Sequence, residues 1–261
     1  MTARTTGTGD RGSALRPCVS ERLAAFMPSL PLFTPSAVVR ALRAAGCVFA
    51  EDEADLLLAT ARTPGELAAM VERRAAGIPL EHVVGWARFH GLRIAVEPGV
   101  FVPRRRTEFL IDQALAQAPG ARVVADLCCG SGALGVALAA ALGAVEVHAA
   151  DIDPAAVRCA HRNLAPYGGR AHLGDLFDAL PAGLRGRVGV LTANVPYVPS
   201  AEVALLPAEA RDHEPGGCLL TETSERQAEA ALRAFADAGL TSRLAVSEEL
   251  YAHVVIGVRE R

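Results

Sequence analysis

The sequence is short of positive charge. Lysine and arginine together number 26 against 29 acidic residues, a net charge of -3, so no global basic field draws it to nucleic acid. It has six cysteines, Cys18, Cys47, Cys128, Cys129, Cys159 and Cys218. None makes a CxxC pair and none has the histidine spacing of a zinc site. No metal is therefore expected, and reduced thiols of a cytosolic protein are. The longest apolar run, 133–145, is shorter than the ~20 residues a membrane helix needs, and glycines interrupt it. The N-terminus carries arginines but no apolar stretch before a cleavage site, which argues against a secretory signal. What is present is a 261-residue chain, 51% hydrophobic and 21% charged, enough for one large domain and a small one. The expected protein is cytoplasmic and monomeric, with no membrane partner and no nucleic-acid partner.

Residues 1–34 are rich in Thr, Gly, Arg, Ser and Pro and read as a disordered extension, with at most a short helix at 21–27. Residues 35–84 read as a small helical domain. Val38, Leu42 and Ala45 share a face before Gly46, and Ala54, Leu57 and Leu58 mark a second helix. Thr63, Pro64 and Glu66 spell a capped third helix that stops at Gly77. Residues 85–103 read as a β-hairpin linker turning near His90-Gly91, with Trp86 and Phe89 packing it. From 104 to 261, strands and helices alternate, which means a parallel sheet covered on both faces. The two closing strands, 242–247 and 253–258, are joined too briefly for a crossover and predict one antiparallel edge strand.

Asp126-Leu127-Cys128-Cys129-Gly130-Ser131-Gly132 lies where the first strand of this region meets its helix. Gly130, Gly132 and Gly135 fit GxGxxG, with Asp151 about twenty residues on. Glycines let a backbone approach a ligand closely, and an acid at that distance accepts bonds from ribose hydroxyls. The pattern implies an adenosine cofactor without choosing between a nicotinamide dinucleotide and S-adenosylmethionine.

Asn194-Val195-Pro196-Tyr197 follows the fourth strand and faces the same crevice. An amide nitrogen is a poor nucleophile because its lone pair is delocalised. A site that methylates it must hold its hydrogens on acceptors and aim the nitrogen at the methyl group. The Asn194 side-chain oxygen and the Val195 carbonyl can supply the acceptors, Pro196 stiffens the turn, and Tyr197 can pack on the amide plane. Such positioning contributes roughly 7–11 kcal/mol.

On these motifs the chain resembles the HemK/PrmC family of N(5)-glutamine methyltransferases. The likeness runs from about Val38 to Arg259. It is carried by residues 77–85, by Val102-Pro103-Arg104 with Thr107-Glu108, by 126–132, 150–153 and 174–177, and by 194–197. It implies an α/β fold: a Rossmann-like class I methyltransferase domain behind a helical N-terminal domain and a β-hairpin. It implies S-adenosyl-L-methionine as cofactor and a protein glutamine as substrate, plausibly in a peptide chain release factor. By position, Asp126, Cys128, Cys129, Gly130, Ser131, Gly132, Asp151, Leu176 and Asn194 become cofactor residues. Asn194, Val195, Pro196 and Tyr197 become the amide grip.

The sequence departs from the family in four places. Val195 stands where the family has proline. Cys128 stands where glycine is common, so φ below zero is expected there. Arg105 and Arg106 enrich a turn that reads as solvated. After His213-Glu214-Pro215, roughly two dozen residues of the family pattern are missing, although a crossover needs at least 10–12. A helix at 202–211 would be interrupted by Pro207, and a sheet face left under-covered beside the next strand is expected. Glu222 reads as a solvated carboxylate. Alternatives left open are a nucleic-acid amino-group methyltransferase, a nicotinamide dehydrogenase and a non-catalytic cofactor-binding relative.

Overall fold

A computed structural model describes residues 34–195 and 217–259. The expected helices at 21–27 and 202–211, and the segment around His213 and Pro215, lie outside those residues. The chain forms two compact units that divide between Val83 and Val84.

In the first unit, α1 (Pro35–Ala44) opens on a proline whose φ already suits a helix. It closes at Gly46 (φ +89°): the Gly46 N–H donates to Arg43 O at 2.9 Å and the Cys47 N–H to Leu42 O at 3.0 Å. That pair of bonds satisfies carbonyls the helix end leaves open. Val38 and Leu42 are buried, but Ala45 is the exposed C-cap and not part of their face, because the helix has already ended. Helix α2 (Ala50–Thr60) buries Ala54 and Leu57. Helix α3 (Pro64–Ala75) has Thr63 as N-cap, accepting the Glu66 N–H at 3.1 Å. The Glu66 carboxylate reaches one residue further back than a capping box requires, to the Arg62 N–H at 2.7 Å. Buried Glu53 is held in a two-pronged grip by Arg74, at 2.6 and 3.0 Å, which offsets the desolvation of its charge. A short α4 (Leu80–Val84) follows.

The second unit begins with a hairpin of β1 (Trp86–Phe89) and β2 (Leu92–Ala95). His90 and Gly91 both have positive φ, +48° and +76°, as a two-residue turn of the right twist demands. Phe89 is fully buried in the main core, and Arg93 stacks over the Trp86 ring at 4.1 Å. Then come α5 (Glu108–Gln117), β3 (Val123–Leu127), α6 (Ala133–Leu142), β4 (Glu146–Asp151), α7 (Pro154–Leu164), β5 (Arg170–Leu173) and β6 (Val190–Ala193). The chain ends with β7 (Cys218–Thr223), α8 (Glu225–Asp237), β8 (Thr241–Ser247) and β9 (Ala252–Val258).

These strands form one seven-stranded sheet in the order β5-β4-β3-β6-β7-β9-β8. Strands β3 to β7 pair in parallel, and β9 runs antiparallel to both β7 and β8. The expected doubly covered α/β sheet is present, with one correction. The antiparallel strand β9 is not the edge; it inserts between β7 and β8. The short β8–β9 connection forces β9 to double back, and six residues of β7 give it a ladder to join.

Alternate residues of β3 enter two cores. Val124 packs with α6 residues such as Leu134 and Leu138, whereas Val123, Ala125 and Leu127 meet Leu184, Val188 and Phe235. The expected under-covered face beside β7 is absent. Cys218 and Leu220 are buried in the first core beside Ile111 and Ala114 of α5, and Leu219 in the second beside Ala231 and Phe235 of α8. Ser224 and Gln227, whose spacing predicts a capping box at the start of α8, do not form one. Their side chains bond each other at 2.8 Å, and Ser224 makes no side-chain bond to a helix N–H. Among the described residues no helix is long and apolar enough to cross a membrane.

Candidate active site

Consecutive strands of the sheet are built outward from β3 to β4 and β5, and the chain then returns to β6 on the other side of β3. The loops after β3 and β6 therefore part company and leave a crevice at the carboxyl ends, the usual ligand position of such sheets. Leu127 and Ala193 are register partners, so Cys128 and Asn194 leave the sheet side by side.

The loop after β3 is held by its own polar groups. The Gly130 N–H donates to Asp151 Oδ2 at 2.9 Å, and the Asp153 N–H to Asp151 Oδ1 at 2.9 Å. The Cys129 N–H donates to Ala150 O at 3.1 Å and the Gly132 N–H to Cys129 O at 2.7 Å. Gly132 (φ +75°) lies so close to α7 that an added Cβ would meet the Ala160 Cβ at 3.0 Å and its Cα at 3.1 Å. Gly135 lets α6 approach the sheet, where a Cβ would come within 3.2 Å of Val147. Two of the three glycines thus serve close packing, and their spacing follows from that geometry.

Cys128 has φ +53°, which overturns the expectation of a negative φ. The chain must turn left-handed immediately after β3 to bring Cys129 back to Ala150, whatever residue stands there. A side chain in that conformation costs roughly 1–2 kcal/mol. Cys128→Gly is expected to raise stability in urea unfolding by about 1 kcal/mol or less, after glycine's own entropic penalty; an unchanged or lowered midpoint would show that the cysteine is not strained.

Asp126 ends up fully buried. Thr192 donates to its Oδ1 at 2.8 Å and the Gly135 N–H to its Oδ2 at 3.2 Å. Burial pushes this carboxyl up to about 7 against those two bonds, which favour the charge, and the nearby Asp151 adds to the rise. Burial also pushes the Cys128 thiol up to about 11, with Asp151, Asp126 and Asp175 contributing; Cys129 moves further in the same direction. Neither thiol is a nucleophile at neutral pH. The cradle carries acidic groups on several sides.

Leu176 (φ +41°) begins a turn after β5 that the Gly174 N–H ties to Asp151 O at 3.1 Å. Ile152 (72% exposed) and Leu173 (58%) leave apolar surface beside Asp151, whose register partner is Leu173. Asn194 and Val195 are half-buried, and Thr221 Oγ donates to the carbonyl of Ala193, just before Asn194, at 2.7 Å. Pro196 and Tyr197 lie outside the described residues.

One more expectation is corrected. The Glu222 side chain is only 6% exposed: Arg106 Nε lies 2.6 Å from its Oε1, and Thr107 Oγ donates to its Oε2 at 2.5 Å. It is not a solvated carboxylate, although the turn that carries Arg106 is solvated as expected, with the Arg106 side chain 42% exposed. Arg104 instead lies over the Phe101 ring at 5.4 Å, and Arg105 approaches Glu249 at 4.0 Å with both side chains exposed. Sequence reasoning missed Thr192, Thr221 and Asn163. Asn163 had a usable signal: it continues the buried stripe of Ala156, Cys159 and Ala160, where an amide needs partners.

A family model described as methyltransferase small domain matches residues 91–203, which span the loop, Asp151 and the Asn-Val-Pro-Tyr segment. The release factor glutamine methyltransferase of Geobacter sulfurreducens is 39% identical over 161 residues, 60% of this chain and 56% of that one. Over somewhat more than half of its length the chain is similar to the release factor glutamine methyltransferases. A further relative is a 4-amino-L-phenylalanine/4-methylamino-L-phenylalanine methyltransferase of Streptomyces pristinaespiralis, 36% identical over 67% of this chain and 62% of that one. The chain thus matches less than two thirds of the length of either relative. Among solved structures, the 16S rRNA N2 G1207 methyltransferase of T. thermophilus, in complex with AdoMet and guanosine, superposes with a TM-score of 0.53. It is 21% identical, covering 67% of this chain and 50% of that one, and the likeness is one of fold.

Proposed function

We propose that the chain transfers a methyl group from S-adenosylmethionine to the side-chain amide nitrogen of a glutamine in a protein, a peptide chain release factor being the substrate its relatives' names suggest. The observation that carries this reading is the pairing of β3 with β6. It brings the glycine loop and Asn194 to one crevice and ties them through the Thr192–Asp126 bond at 2.8 Å.

The cradle's chemistry favours this cofactor over a dinucleotide. A nicotinamide dinucleotide would set its pyrophosphate on the N-terminus of α6. There the Gly135 N–H is already committed to Asp126, and Asp126 and Asp151 stand close enough to interact. Acidic surroundings repel phosphate and suit the positive sulfonium. Asp151 retains acceptor capacity beyond its two backbone bonds for ribose hydroxyls. Gly130, Ser131 and Gly132, with Cys128 and Cys129, line the remainder of the loop, and Leu176 takes the position beside the adenine.

The bound cofactor supplies an electrophilic methyl group and a neutral thioether leaving group. The chain's part is to position the nucleophile. Asn194 Oδ1 and the Val195 carbonyl accept the two amide hydrogens, turn the lone pair toward the methyl group and favour loss of a proton as the carbon–nitrogen bond forms. Pro196 and Tyr197 complete the grip. Residues 35–84 form the helical domain, 85–103 the hairpin linker and 104–261 the methyltransferase domain of a cytoplasmic monomer. A protein substrate fits better than nucleic acid, since Arg106 is committed to Glu222.

Calorimetric titration with S-adenosylmethionine is expected to show micromolar binding. Loss of the Asp151 acceptor, worth roughly 1.5–3 kcal/mol, weakens it about tenfold to a hundredfold in Asp151→Ala. Methyl-labelled cofactor then places label on the release factor's glutamine. Label recovered on RNA, or no transfer by a folded sample that binds cofactor, refutes the reading.

A further inference from the structure

Asn163, near the end of α7, spends its whole amide on two distant segments. Its Nδ2 donates to Ser131 O at 2.8 Å, in the glycine loop, and to Ala95 O at 2.9 Å, at the end of β2. Its Oδ1 accepts the Ala95 N–H at 3.0 Å. Its neighbours on the same helix repeat the arrangement. Cys159 Sγ approaches Ala95 O at 3.2 Å, Arg162 pairs with Glu97 at 3.1 Å, and Ala160 is the atom group against which Gly132 packs. One face of α7 therefore grips the hairpin and the glycine loop together.

We propose that Asn163 is the positioning residue that locks the hairpin to the cofactor loop and pre-shapes that loop for S-adenosylmethionine; this rests on the reading of the cradle given above. A peptide unit is planar, so anchoring the Ser131 carbonyl also sets the direction of the Gly132 N–H, which donates to Cys129 O. With the Gly130 N–H on Asp151 and the Cys129 N–H on Ala150 O, three peptides of the turn are committed before the ligand arrives. Without Asn163 the 131–132 peptide keeps only the Gly132 N–H bond to Cys129 O and gains freedom to tilt, and binding must supply the cost of ordering it. The same residue places β2, whose chain runs on to Phe101. The Phe101 Cβ lies 3.9 Å from where a Gly130 Cβ would stand. Hairpin and loop thus move as one body.

The test compares Asn163→Ala and Asn163→Asp with the parent in the full chain. The aspartate keeps the shape and the bond from the Ala95 N–H but loses both donors. Two readouts are used: affinity for S-adenosylhomocysteine by calorimetry, and amide hydrogen exchange without ligand at 92–97, at 128–132 and in β9. Both variants are expected to bind about tenfold or more weakly, with faster exchange in both named segments and unchanged exchange in β9. Phe235→Leu, which loosens the opposite core, serves as control: it lowers the melting temperature while affinity stays within about twofold. Parent-like affinity in folded variants overturns the proposal. So does exchange that rises in only one segment, or equally in β9, since each shows no specific coupling. If the parent itself binds no S-adenosylhomocysteine, the cofactor reading fails. Coupled exchange at 92–97 and 128–132 would then still support the mechanical lock, and uncoupled exchange would overturn it.

Discussion

Replacing Asn194 by alanine lowers kcat/KM for glutamine methylation by roughly a hundredfold to a thousandfold, the scale of losing one preorganised polar group at a reacting centre. Cofactor affinity stays within a few-fold. The asymmetry follows from where the residue sits. In the proposed site, most of the cofactor cradle comes from the loop after β3, from Asp151 and from the turn at Leu176, which keep their shape without the Asn194 side chain, so Asn194 itself contributes only a minor cofactor contact. The orientation of the substrate amide does depend on it. Thr221 holds the Ala193 carbonyl at 2.7 Å and Thr192 bonds Asp126 at 2.8 Å, so the backbone that presents Asn194 is braced from both neighbouring strands and should survive the truncation. Asn194→Asp keeps two acceptor oxygens at the same reach and is expected to retain more activity than the alanine variant. Rates with Asn194→Ala within about fivefold of the parent, a loss of only ~1 kcal/mol, would remove Asn194 from the amide grip.

Asp126→Asn is expected to abolish a pH dependence of stability that the parent has. The Asp126 carboxyl is pushed up to about 7 in the folded chain from an ordinary value of 3.8. Between those two values the folded protein holds a proton that the unfolded chain has released. The folded state therefore binds more protons, and stability from this group falls as pH rises from about 4 to about 7. Below that window both states are protonated and the penalty vanishes. Above it both are ionised and the penalty is complete, on the order of a few kcal/mol at about 1.4 kcal/mol per pKa unit. Asparagine fits the site. Its carbonyl can accept the Gly135 N–H, and its amide can donate to Thr192, whose hydroxyl can turn to Ala125 O, now 3.5 Å away. Urea unfolding of both proteins between pH 4.5 and 8 should give a difference that grows with pH in favour of the variant. A difference that is constant with pH would mean Asp126 is ionised throughout.

The motifs were legible because each is a local demand. The turn after β3 needs glycine where α7 approaches it, and an acid twenty residues on marks the end of the adjacent parallel strand. The cap at Thr63 and the glycines at 46 and 77 state where helices begin and stop without help from the tertiary structure. The misreadings have a common form. Cys128 was judged by residue preference, but the strand-to-helix turn imposes its φ. Glu222 reads as a charge near a loop, but β7 and the segment before α5 bring it to Arg106 across more than a hundred residues. The antiparallel strand was placed at the edge because a short connection fixes direction and says nothing of order.

The sequence by itself determined the α/β class, several helix ends and the order of strands along the chain, and it names the groups proposed to hold an adenosine cofactor and an amide. Those follow from periodicity, backbone preference and donor–acceptor chemistry, which act over a few residues. Only the tertiary structure decided that β9 inserts between β7 and β8, that Asp126 is buried between Thr192 and Gly135, and that Asn163 joins hairpin to loop. Each of these depends on segments far apart in the chain meeting at hydrogen-bond distance, and a polar side chain acquires its partner, its protonation and its role only once that meeting has taken place.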